Sequence, residues 1–326
     1  MSLMIDIEGF ELTEEDRELL SHPSVTGFIL FGRNVESVEQ VAALTRAIRA
    51  LRPELLIAVD YEGGRVQRIR EGVTRIPTMR SVGLAADAEQ LAEDTGLVVG
   101  AELAALGFDL PFAPVVDLDH GCSGVIGDRA LHRDPPRVVA LAGAYIRGLG
   151  RAGLSATVKH FPGHGAVIPD SHVELPVDER PMEQIESDDL QPFAQLIRLG
   201  VPSVMTAHVV YREVDERPAS FSTHWVQHWL RGRLGFAGCV VSDDLTMGGA
   251  AAMGGPRRRV ELAAEAGCDL LPLCNHRPSV IDVLEAGPLS MPQGFEARLQ
   301  ALHRITVSLD ASQVQAARQR LSKLLT

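Results

Sequence analysis

Hydrophobic positions fall into short, nearly continuous apolar runs separated by longer stretches with helical periodicity. The runs that predict strands are Gly27 to Phe31, Leu56 to Asp60, Asp109 to Asp117, Ser155 to His160, Ser203 to His208, Cys239 to Asp243 and Leu270 to Cys274. Between them, Ser37 to Ala50, Ala88 to Leu106, Pro136 to Ala152, Gln184 to Leu199 and Thr223 to Gly232 repeat with the period of helices. Strands alternating with helices imply βαβ units around a parallel sheet. Runs without polar alternation imply that both faces of that sheet are covered. Seven visible strands and a hidden eighth, sought around Met291 to Phe295, fit an α/β fold of the (β/α)8 TIM-barrel type, regular or not. Gln313 to Leu325 reads as an amphipathic helix packed outside it. No linker, low-complexity tract or tandem repeat divides the chain, so residues 1–326 are expected to form one domain.

Polar residues cluster where the apolar runs end: Asp60, Asp117, Lys159-His160, His208, Asp243-Asp244 and Asn275. In a barrel of parallel strands these ends share one face, and catalytic groups gather there. One such ending is chance; six predict a common site.

Composition narrows the chemistry. With 31 basic against 43 acidic residues and a formal charge of −12, the chain lacks the basic surface from which nucleic-acid affinity is drawn. Arg257-Arg258-Arg259 reads as the solvated start of a helix. No apolar run approaches the roughly 18 residues that span a bilayer, and the N-terminus opens no signal peptide, so a cytoplasmic protein is expected. Cys122, Cys239, Cys268 and Cys274 form no C-x-x-C pair and read as buried free thiols of a reducing compartment.

The densest chemical signal is Lys159-His160-Phe161-Pro162-Gly163-His164-Gly165 followed by Asp170-Ser171-His172. Proline and glycine end the strand and turn the backbone sharply. The following loop then carries Asp170 and His172 over the site. An Asp two residues before a His can orient the imidazole and favour its charged form, giving an acid/base group for neutral pH. Three histidines and a carboxylate within thirteen residues also admit a metal, but zinc sites favour short fixed spacings on rigid elements, and no metal or cofactor is expected. Lys159 at a strand end admits Schiff-base chemistry of the lyase or aldolase kind.

Asp243-Asp244 closes another apolar run. Alternation along a strand predicts that one carboxylate faces the site while its neighbour turns away. The facing one could attack an anomeric carbon, and capping of the next helix explains both equally well. In Asp60-Tyr61-Glu62-Gly63-Gly64-Arg65-Val66-Gln67-Arg68, Asp60 can accept from vicinal hydroxyls and Arg68 can donate. Arg129 is a further cation after a strand-like region. Surface ion pairs explain these three as readily.

Together these segments resemble family 3 glycoside hydrolases, in particular the bacterial β-N-acetylglucosaminidases that recycle peptidoglycan. The match runs from Phe31-Gly32-Arg33-Asn34 to Asn275, and the Lys-His-Phe-Pro-Gly-His-Gly stretch with Asp170-Ser171-His172 is its most specific part. The resemblance implies Asp243 as nucleophile, His172 as acid/base and Asp170 as its orienter. It implies Asp60, Arg68, Arg129, Lys159 and His160 as sugar-binding residues. It also implies a small saccharide or muropeptide as substrate, with no obligatory protein partner. Tyr61 stands where Gln or His is expected, and Gly248-Gly249 where a Glu-Gly pair is more usual. The remaining alternatives are the Lys159 lyase and a noncatalytic sugar-binding barrel.

Overall fold

The computed structural model describes residues 1–171 and 173–325. Eight short strands run parallel: β1 (Leu3–Ile5), β2 (Val25–Leu30), β3 (Leu56–Val59), β4 (Leu110–Pro111), β5 (Thr157–Phe161), β6 (Ser203–Thr206), β7 (Cys239–Ser242) and β8 (Leu271–Pro272). One sheet has the order β8-β1-β2-β3-β4 and a second the order β7-β6-β5. Two seams join them. On one side Val115 bridges Lys159, and Val116 N–H donates to Lys159 O at 2.9 Å. On the other Val241 bridges Leu270, and Ser242 N–H donates to Leu270 O at 3.0 Å. The curled sheets thereby close into a barrel.

The hidden strand is therefore β1, not Met291 to Phe295, where the chain turns into the helix Phe295–Gln300. Leu3-Met4-Ile5 is only three residues long, yet it pairs with β2 on one side and β8 on the other. The expected Asp109 to Asp117 strand shrinks to two ladder residues. Pro111 and Pro114 have no N–H to donate, so pairing resumes only at Val115. The single helix expected from Gln184 to Leu199 divides into Met182–Ser187 and Leu190–Arg198. Pro192, whose ring would collide with the carbonyl four residues back in a continuous helix, fits the first turn of the second segment.

Alternation along the strands sorts the core into two layers. Met4, Ile29, Leu56, Ala58, Met205, Cys239 and Val241 fill the barrel interior together. Ile5, Phe28, Ile57, Val59, Val204 and Val240 belong to the larger cluster between barrel and helices. This parity locates the site: Asp60 continues the inward series Leu56, Ala58, and Asp243 continues Cys239, Val241.

In the outer layer, helices Ala88–Ala105 and Pro135–Arg151 approach closely because glycines face each other. A Cβ on Gly96 would stand 2.0 Å from Tyr145 O, and one on Gly148 2.1 Å from Glu93 O. The C-terminal helix Ala311–Ser322 docks on the first of these through Val314, Ala317 and Leu321, with Arg320 forked onto Asp94. Arg257 and Arg258 open the helix Pro256–Ala266 and pair with Glu261. Cys239, Cys268 and Cys274 are buried free thiols, but Cys122 is exposed, because it lies in the loop beyond β4 rather than in the core.

Candidate active site

The C-terminal ends of the strands open into a pocket of 570 Å³. Asp60, Arg68, Arg129, Lys159, His160 and Asp243 all line it, although they come from four separate segments of the chain. Asp170 sits half-buried on the following loop, where its carbonyl accepts from Val173 and Glu174 N–H at 2.9 Å each. His172, the expected acid/base, lies outside the described residues.

A buried charge network forms one wall. Lys159 Nζ lies 3.0 Å from Asp60 Oδ1 and 2.6 Å from Glu62 Oε1. Arg129 forks onto Glu62, with Nε at 2.7 Å and Nη2 at 2.9 Å from the two oxygens. Arg68 Nη2 meets Asp60 Oδ2 at 3.3 Å. Burial alone would neutralise the carboxyl of Glu62, but Arg129 and Lys159 hold its pKa well below the usual value. Asp60 is depressed in the same way by Lys159 and Arg68. Burial works against the charge on Lys159 too, yet Asp60 and Glu62 raise its pKa. The lysine is thus a fixed ammonium, which removes the free amine that Schiff-base chemistry requires.

Arg68 Nε is buried without an acceptor among the described residues. It is a donor available to whatever enters the pocket.

His160 is oriented from behind. Its Nδ1 lies 2.7 Å from Asp117 Oδ2, while Asp117 Oδ1 accepts from the backbone N–H groups of His160 and His164 at 3.1 and 2.7 Å. Burial raises the pKa of Asp117, and the neighbouring His160 more than reverses this. His164 is buried, which lowers its pKa to about 4, and it touches Ser171 Oγ through Nε2 at 2.9 Å. Ser171 also accepts from Gly249 N–H through its carbonyl at 2.8 Å. The loop that carries Asp170 is therefore fastened to both the turn after β5 and the segment after β7.

The two aspartates after β7 divide differently from expectation. Both line the pocket, because the strand ends at Ser242 and the turn brings Asp244 back to the rim. Asp244 is committed to the protein: Oδ1 accepts from Thr246 and Cys274 N–H at 3.0 and 3.1 Å, and Oδ2 from Asn275 Nδ2 at 3.0 Å. Burial raises its carboxyl to about 6. Asp243 is half-buried, and its Oδ1 accepts from Asp244 N–H at 2.9 Å.

The residue that sequence reasoning missed is Glu62. It was visible in the Asp60 to Arg68 segment, two positions after Asp60, but its role emerges only when Lys159 and Arg129 arrive on either side. The departure at Tyr61 is explained: its hydroxyl donates to Ile69 O at 3.2 Å and accepts from Gln67 Nε2 at 3.0 Å, behind the pocket wall.

Residues 3–305 match the glycosyl hydrolase family 3 N terminal domain. A beta-hexosaminidase of Pseudomonas aeruginosa is 52% identical over 278 residues, covering 85% of this chain and 83% of its own. One from Methylobacillus flagellatus is 50% identical over 307 residues, covering 92% and 88%. This chain belongs to glycosyl hydrolase family 3. Among solved structures, NagZ of Neisseria gonorrhoeae in complex with N-trifluoroacetyl-D-glucosamine superposes with a TM-score of 0.91 at 43% identity, over 99% of this chain and 97% of that one. A family 3 beta-N-acetylglucosaminidase from Paenibacillus gives 0.88 at 33% identity, over 99% of this chain and 67% of that one. These relatives are glycosidases, and the fold they share with this chain is the closed parallel barrel. No helix among the described residues is long and apolar enough to cross a membrane.

Proposed function

We propose that this chain is a retaining glycosidase that removes terminal β-linked N-acetylglucosamine from small saccharides, peptidoglycan fragments in particular, in the cytoplasm, with residues 1–326 acting as one catalytic unit. The observation that carries this reading is the pairing, across one pocket, of the inward-parity Asp243 with the Asp60–Lys159–Glu62–Arg129 network. A carboxylate on one side can attack an anomeric carbon. On the other, fixed donors and acceptors match the hydroxyls and acetamido carbonyl of an aminosugar.

In the first step Asp243 forms the glycosyl bond while protonated His172 gives its proton to the departing oxygen. In the second, neutral His172 takes a proton from water, which attacks the same carbon and releases the sugar with retained configuration. Asp170 orients the imidazole. Asp60 and Arg68 sit where vicinal hydroxyls can be gripped, and the unsatisfied Arg68 Nε gives this part of the site a reason to recruit a sugar oxygen. Lys159, Arg129 and His160 complete the sugar-binding wall. Two relatives support the assignment by name: the gonococcal NagZ holds N-trifluoroacetyl-D-glucosamine, and the Paenibacillus protein is a beta-N-acetylglucosaminidase.

The test compares nitrophenol release from an aryl β-N-acetylglucosaminide with that from the matching β-glucoside. Preference for the acetamido sugar by roughly 100-fold or more supports the proposal, since sites built to bind a polar group reject analogues that lack it. Saccharide binding without release of nitrophenol would leave only a sugar-binding barrel.

A further inference from the structure

The family-matching segment Phe31-Gly32-Arg33-Asn34 puts only Phe31 in the pocket wall, yet Arg33 is linked to Asp243 through the side chains of Asn275 and Asp244 and then the Asp244 backbone N–H. Arg33 Nη1 donates to Asn275 Oδ1 at 2.7 Å, and Asn275 Nδ2 donates to Asp244 Oδ2 at 3.0 Å. Asp244 N–H then donates to Asp243 Oδ1 at 2.9 Å. The outer end is anchored by the ion pair of Arg33 with Asp6, whose Oδ2 also accepts from Asn275 N–H at 3.1 Å. The inner end is anchored at Asp244 Oδ1 by Thr246 and Cys274 N–H, and at the Asp244 carbonyl by His208 Nε2 at 3.0 Å. Asn275 holds φ at 62°, a left-handed conformation that Asn tolerates better than most side chains.

Donor chemistry fixes the direction of this chain. A guanidinium only donates and a carboxylate only accepts, so the amide between them can stand one way round. We propose that Arg33, Asn275 and Asp244 form a directional hydrogen-bond relay that positions the Asp243 carboxylate for attack. This rests on the reading of Asp243 as nucleophile. All three are positioning residues, acting through Asp243 rather than on the sugar.

The relay makes a specific double substitution informative. In Asp244→Asn the new amide must point its NH2 at Asn275 Nδ2 or at the Thr246 and Cys274 N–H groups. Turning Asn275 to accept sets its own NH2 against Arg33. Each arrangement leaves a donor facing a donor. Adding Asn275→Asp restores every pairing at unchanged net charge, because the new carboxylate accepts from both Arg33 and the amide at 244.

The experiment measures the rate of covalent trapping by a 2-fluoro glycosyl donor, with mass mapping of the adduct, kcat/KM on an aryl β-N-acetylglucosaminide, and melting temperature. Asp244→Asn should trap roughly 10- to 100-fold more slowly, as expected for a misplaced reacting group. The double variant should return to within roughly threefold of wild type, with the adduct on Asp243. A double variant no faster than Asp244→Asn, with the adduct still on Asp243, overturns the relay and spares the nucleophile. An adduct elsewhere in the wild-type protein removes both. Should Asp244→Asn not fold, Arg33→Gln and Asn275→Asp read the relay from its outer end: severalfold slower trapping at normal melting supports it, and wild-type trapping in both overturns it.

Discussion

Glu62 takes the two nitrogens of Arg129 on its two oxygens, at 2.7 and 2.9 Å, with Lys159 Nζ a further 2.6 Å from one of them. Glu62 thus compensates Arg129 and, together with Asp60, Lys159, and the side chains of Glu62, Arg129 and Lys159 are almost fully removed from solvent. Removing the Glu62 charge leaves Arg129 buried without its carboxylate, which costs about 3–5 kcal/mol in comparable buried pairs.

Glu62→Gln is therefore expected to destabilise the fold by about that amount at pH 7 and to raise KM, because Lys159 and Arg129 lose their fixed positions. The pH dependence carries a definite sign. Glu62 has an ordinary pKa of 4.5 and a depressed value when folded. Its contribution is complete above 4.5 and is withdrawn as pH falls toward the folded value. Urea denaturation at pH 7 and pH 3.5 should show the gap between wild type and Glu62→Gln narrowing at the lower pH. A constant gap would mean that ionisation of Glu62 is not what the network uses.

Lys159 should resist reductive alkylation. Asp60 and Glu62 raise its pKa, so at neutral pH the amine is protonated and held on two carboxylates. Borohydride with a small carbonyl compound, followed by mass mapping, is expected to leave Lys159 unmodified and activity intact. An adduct at Lys159 would revive the lyase reading.

Asp243→Ala should abolish covalent trapping while leaving the melting temperature within a few degrees of wild type. The side chain is half-buried at the pocket wall, and its charge serves the transition state rather than the core. A normal rate of adduct formation in this variant would displace Asp243 as nucleophile.

Much of this site was legible because the barrel enforces a simple rule: inward parity plus a polar strand end equals pocket. Asp60 and Asp243 obey it directly, and the glycine and proline after Lys159-His160 mark where β5 stops. Glu62 escapes the rule. It lies beyond the strand end in a small antiparallel ribbon, Tyr61–Gly63 against Val66–Gln67, and its burial depends on Arg129, 67 residues away. In the sequence Asp117 is only a polar strand ending, since orienting His160 requires the seam between β4 and β5. β1 escaped for another reason. Three residues carry too little periodicity to register, and their partners stand at Val25 and Leu271.

The loop that bears Asp170 offers the sharpest remaining test. At its root, a Cβ on Gly165 would stand 1.9 Å from Leu118 O and 3.3 Å from the His120 ring. At its far end Ser171 is tied to His164 and Gly249. Gly165→Ala must then shift the root of the loop or push Leu118 aside, and either displaces the Asp170 segment. If this loop delivers the acid, the penalty depends on the leaving group. A sugar alkoxide needs a proton as its bond breaks, whereas nitrophenolate departs without one. Gly165→Ala and His172→Ala should both lower kcat/KM for a disaccharide at least roughly tenfold more than for an aryl glycoside. Azide, which needs no general base, should partly restore deglycosylation in His172→Ala. Equal losses on both substrates, with no azide rescue, would show that the loop shapes the pocket without supplying the proton. His164 would then be a poor substitute as the acid, since burial lowers its pKa to about 4 and leaves it neutral at pH 7.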